Sequence, residues 1–158
     1  MGMTGIRLKE ITYRQKHRKK DKIMRENMFR GLLKNEDACA FFDGWFYGDL
    51  IRRADGTIWI RQYQTSTELE VFPETVGQST GMKDRNGNAI YEGDILKTYP
   101  IIASDKIGDS SFNCVVSFNG SSWIANGVLG ENQCRIFEVV GNIFENKELI
   151  GKQYEKRF

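Results

Sequence analysis

Residues 74–97 read ETVGQSTGMKDRNGNAIYEGDILK, and their order of glycines, asparagines and acids decides the fold. A strand ends as this stretch begins, Gly81 supplies a turn, and Asn86-Gly87 supplies another. Glu92-Gly93-Asp94 then reverses the chain once more and launches an apolar strand. Gly permits the backbone angles such bends need, while Asp and Asn side chains accept backbone N–H groups at the turn.

Outward from this stretch, short β-branched and aromatic runs alternate with turn residues. They predict strands over residues 44–51, 57–63, 69–72, 94–99, 112–118, 122–125 and 135–144. Ala54-Asp55-Gly56-Thr57 joins the first two as a hairpin, and Asn119-Gly120 separates the fifth from the sixth. No helix-period segments alternate with these runs, which favours a small barrel or bent sheet over a parallel α/β fold. The expected fold is mainly β, a small SH3-like or bent-sheet barrel, because a Gly-Asp entry into a strand is common there. Helix is expected only at the ends: a helical or mobile basic N-terminal arm, and a short C-terminal helix over residues 146–154 with Asn146 as N-cap.

The 158 residues suffice for one hydrophobic core. No apolar run approaches the ~20 residues of a membrane span and no signal-peptide pattern follows the basic start, so a cytoplasmic protein is expected. Cys39, Cys114 and Cys134 are odd in number, widely spaced and set among apolar neighbours, as core residues are. The formal charge of +2 conceals an asymmetry. Residues 1–27 carry nine basic and three acidic side chains, a balance of +6; the rest carry 14 basic and 18 acidic, a balance of −4. An electrostatic case for nucleic acid therefore rests on the arm, through Arg14, Lys16, Arg18, Lys19, Lys20, Lys22 and Arg25.

Chemistry finds little purchase. Asp84, Asn86 and Asn88 alternate like the first ligands of a calcium loop, but Ala89 stands where that loop turns on glycine and Ile95 where it needs glutamate. A zinc site would want paired Cys or His, and His17 is the sole histidine. Gly77 to Asp84 misses the phosphate-loop spacing, with Lys83 two residues after its second glycine. Asp49, Glu74, Asp84, Glu92 and Asp94 are the remaining candidate acids or bases, and each lies beside a turn that explains it. Catalytic residues, metal and cofactor are accordingly expected to be none, with no small-molecule substrate.

The same central stretch resembles the signature of the YopX family, through Thr75, Gly77, Gly81, Asp84, Asn86, Gly87, Tyr91, Glu92, Gly93 and Asp94. Phe29-Arg30-Gly31 with residues 44–50 is similar to the family's opening, and residues 137–146 to its close. The resemblance implies a largely β fold, an origin in phage or prophage genomes, self-association, and no established reaction. It suggests a β domain over 28–150, a basic arm over 1–27 and a tail over 151–158. Because Met24-Arg25-Glu26 resembles a family start in mid-chain, residues 1–23 are expected to be an extension outside the common domain. The function expected is a non-enzymatic interaction module for an unknown protein partner or for itself. The alternative is a nucleic-acid-binding accessory protein working through the arm, aided by Trp45, Tyr47, Trp59 and Tyr63 if a barrel exposes them.

Overall fold

The computed structural model describes residues 28–35, 38, 44–63, 65–99 and 111–150. The expected basic arm and the end of the expected C-terminal helix lie outside these residues. Eleven strands are described, all paired antiparallel: β1 (Phe29–Leu32), β2 (Trp45–Arg52), β3 (Ile58–Arg61), β4 (Glu68–Glu70), β5 (Gly77–Lys83), β6 (Ala89–Tyr91), β7 (Asp94–Thr98), β8 (Asn113–Val115), β9 (Ser117–Phe118), β10 (Trp123–Ile124) and β11 (Phe137–Asn142). They form a six-stranded sheet in the order β4-β3-β2-β1-β5-β6, a three-stranded sheet β11-β7-β8, and the β9–β10 ribbon. None of the three closes into a barrel among the described residues.

The larger sheet is nevertheless strongly bent. Leu33, just past β1, bridges Val71, just past β4, and the Phe72 N–H donates to the Leu32 carbonyl at 2.9 Å. The outer rim of β4 thereby meets the end of β1. The bend needs backbones to approach closely: at Gly48, in β2, any Cβ would overlap the Arg61 carbonyl at the end of β3. Inside the bend, Leu33, Phe46, Ile58, Ile60 and Val71 form one core. Full burial of a side chain such as Phe46 or Ile60 contributes about 1.5–3 kcal/mol. Neighbours on a strand point to opposite faces, so burial of both Trp45 and Phe46 means both faces of β2 are covered where it begins.

A second core joins Ile90, Leu96, Cys114, Val116, Ala125, Leu129, Cys134 and Phe137 between the three-stranded sheet, β6 and the segment after the ribbon. That segment contains a single helical turn, α1 (Glu131–Cys134), in mid-chain where only strands and turns were expected. Near the C-terminus the described helix is one 3-10 turn, Lys147–Leu149. Asn146 stands at its N-cap, as expected, but its side chain makes no capping bond; its Oδ1 accepts the Asn142 N–H at 3.2 Å, pulled back by the turn that ends β11. The expected turn at Gly81 is also corrected. Gly81 sits within β5 with φ of +75°, and the β5–β6 register shifts between Ser79 and Lys83, so the glycine makes a bulge in a continuing strand. Among the described residues, no helix is long and apolar enough to cross a membrane.

Candidate functional site

The chemistry of this fold concentrates where the two larger sheets meet. Arg30, in the middle of β1, lies opposite Tyr47 of β2 and Gly77 of β5. Its Nη2 stands 2.6 Å from Oδ1 of Asp94, the first residue of β7, and both side chains are at least nine-tenths buried. The guanidinium is covered by the rings of Trp45 and Tyr91, with centroids at 4.6 and 5.0 Å. A weaker contact runs from Nη2 to the Glu92 carbonyl at 3.4 Å, while Nε has no acceptor among the described residues. Asp94 accepts the Tyr91 N–H on Oδ2 at 2.7 Å, while its Oδ1 meets the guanidinium as an ion pair outside hydrogen-bond alignment. Burial pushes the Asp94 carboxyl above its ordinary value, against the pull of Arg30 and the Tyr91 N–H.

A second layer steadies the rings. Trp45 donates its indole N–H to Glu145 Oε2 at 2.9 Å, and the Asn142 side-chain amide donates to the same oxygen at 2.7 Å. Tyr47 packs edge-on against Tyr91 and is 41% exposed. With two rings against it and a carboxylate at its tip, the guanidinium is engaged internally and clasps two sheets together.

Asp84 forms a separate centre. Its carboxylate accepts the N–H groups of Asn86, Asn88 and Val139 and the Asn88 side-chain amide, at 2.8–3.1 Å. Burial pushes this carboxyl upward, but those donors outweigh it and leave it below the usual value. The turn at Asn86-Gly87 is thus tied to β11, whose Phe137 carbonyl also accepts the Arg85 N–H. Among the described residues no three His, Cys, Asp or Glu side chains are placed to hold a metal ion, Asp84, Glu92 and Asp94 included.

The family described as YopX protein matches residues 9–151. The chain belongs to the YopX family. The match begins inside the stretch read from sequence as an extension, so the YopX region reaches into the basic arm. Protein EF1440 from Enterococcus faecalis, known from a crystal structure, is similar to this YopX protein with 21% identity and a TM-score of 0.48; the alignment covers 78% of this chain and 96% of that one. No curated protein matches it.

The YopX signature divides between the two centres and the turns around them. Thr75 is buried, accepts the Leu32 N–H and donates to the Phe72 carbonyl. Gly77 leaves room for the Glu92 carbonyl, and Gly93, with φ of +82°, carries the reversal into Asp94. Gly81 makes the β5 bulge, and Asn86-Gly87 the Asp84-capped turn. Tyr91 covers Arg30, and Glu92 contributes its backbone. Arg14, Lys16, Arg18, Lys19, Lys20, Lys22 and Arg25 lie outside the described residues. Of the aromatics considered for nucleic acid, Trp45 is buried, Trp59 is half-buried with Arg53 stacked 3.8 Å from its centroid, and Tyr63 is 75% exposed. Sequence reasoning missed Arg30 as a working residue. Its signals were a place in the opening motif and a charge between Phe29 and Gly31, inside a segment too short to declare itself a strand.

Proposed function

We propose that this YopX protein is a non-enzymatic interaction module that grips a protein partner through its β9–β10 ribbon. The supporting observation is apolar surface left in water there: Phe118, paired with Trp123, is 48% exposed, and Val128, which bridges Ile124, is 61% exposed. Phe118 stacks on Trp123 with centroids 5.0 Å apart, giving that surface a rigid aromatic face. Large apolar side chains left exposed on one short ribbon are what a contact site would use, since rigid aromatics bind at low entropic cost. Bent sheets of the SH3-like kind present such surfaces beside their edges, and this reading places the protein in the cytoplasm of a prophage-bearing bacterium. A Phe118→Ser/Val128→Ser variant is expected to keep its thermal midpoint and to lose its partner, or its self-association by light scattering. Unchanged association in a folded variant would refute the ribbon reading.

A second reading, nucleic-acid binding through the arm, is favoured by the +6 balance of residues 1–27. Salt-dependent retention on DNA or RNA that disappears when those residues are removed would support it. The −4 balance of the remaining chain works against it.

A further inference from the structure

The chain contains three Asn-Gly pairs, Asn86-Gly87, Asn119-Gly120 and Asn126-Gly127, and all six residues are exposed. Asn followed by Gly is the most thermolabile of dipeptides, because no Cβ hinders the glycine nitrogen from reaching the asparagine side chain. Their three environments differ.

At Asn119 the side chain is folded back over the next peptide. Oδ1 accepts the Ser121 N–H at 3.0 Å, the Ser122 N–H at 2.8 Å and the Ser121 hydroxyl at 3.1 Å. Among the described residues, the Gly120 N–H donates to nothing. A carbonyl held by three donors is polarised as in an oxyanion hole, which stabilises the charge that attack by the neighbouring free backbone nitrogen would place on its oxygen. At Asn86 the arrangement is reversed. The Gly87 N–H is bound to the Asp84 carbonyl at 3.0 Å, and the Asp84 carboxylate, bonded to the Asn86 N–H at 2.9 Å, opposes loss of a neighbouring amide proton. Asn126, with φ of +56°, has no donor on its Oδ1 among the described residues.

We infer that Asn119 is a site of spontaneous covalent modification, converting to aspartate and isoaspartate ahead of Asn86 and Asn126. Solvent base removes the Gly120 amide proton, the nitrogen attacks Cγ of Asn119, and negative charge gathers on Oδ1 beneath its three donors. The C–N bond to the side-chain nitrogen breaks and ammonia leaves, forming a cyclic imide. Water then adds to either imide carbonyl: one opening yields aspartate, the other isoaspartate with the main chain rerouted through Cγ. Neither oxidant nor enzyme is required. This inference stands whether or not the ribbon meets a partner.

The test is ageing of the full chain at mildly alkaline pH, with peptide mapping by mass spectrometry and enzymatic isoaspartate assay. In the folded protein, Asn119 is expected to convert severalfold faster than the other two. In denaturant, where the sites lose their differing surroundings, the rates should draw together. Ser121→Ala, which removes one donor and leaves the backbone turn, should slow conversion of Asn119 alone. Conversion led by Asn86 or Asn126 in the fold, or the same ranking folded and unfolded, would overturn the inference.

Discussion

Arg30 and Asp94 belong to different sheets, yet their side chains meet at 2.6 Å in a space closed to water by Trp45 and Tyr91. Removing one member of such a pair leaves the other charge buried. Arg30→Leu is therefore expected to cost about 3–5 kcal/mol by chemical denaturation at neutral pH. Without Arg30 the Asp94 carboxyl rises further, so the variant should recover stability as pH falls and the acid becomes neutral. Arg30→Leu/Asp94→Asn should be less damaged than Arg30→Leu alone. A double variant as weak as the two single losses combined would show that the residues act independently.

Asp84 has the opposite pH signature. Its folded pKa lies below the unfolded one, so its contribution is complete above the usual carboxylate value of about 3.9 and is lost as pH falls through the depressed folded value. Asp84→Asn is expected to lower the thermal midpoint at neutral pH. Below that range the midpoints of variant and parent should approach each other. A gap that widens in acid would contradict the assignment.

Gly77 separates space from conformation. A Cβ there would stand 2.5 Å from the Glu92 carbonyl, whose oxygen cannot yield without moving the Arg30 contact. Gly77→Ala should cost about 1–3 kcal/mol, as overpacking does. At Gly56 the added methyl meets open space and only the positive φ resists, so Gly56→Ala should cost about 1 kcal/mol or less. Equal losses in urea unfolding would remove the steric argument.

Burial pushes the Cys114 thiol up to about 11, and Cys134 is buried against Met82. Thiolate is the reactive form, so both should resist a maleimide in the fold and react once denatured. Rapid labelling of Cys114 without denaturant would show that the second core opens readily.

The strands legible in sequence were those with an alternating or continuous apolar pattern: β2, β3, β7 and β11 fall within a few residues of where Trp45, Trp59, Ile95 and Val139 suggested. Residues 112–118, expected as one strand, divide at Val116, whose N–H and carbonyl bond Asp94 and Gly93 as the chain leaves β8 for the ribbon. β5 was hidden because Gln78, Ser79 and Thr80 are polar and Gly81 looks like a turn; partners on two neighbouring strands hold it extended. The roles of Asp84 and Asp94 were half visible. That each ties a turn follows from local sequence, but their bonds to Val139 and Arg30 span too much chain to be read from spacing.

The bridge between Leu33 and Val71 also bears on how copies of this protein behave when crowded. A rim of unpaired amides is the usual template on which strands polymerise into fibrils. Here Lys34 and Phe72 spend their amides on Glu70 and Leu32 of the same molecule, which shortens the stretch of that rim on which a foreign strand could grow.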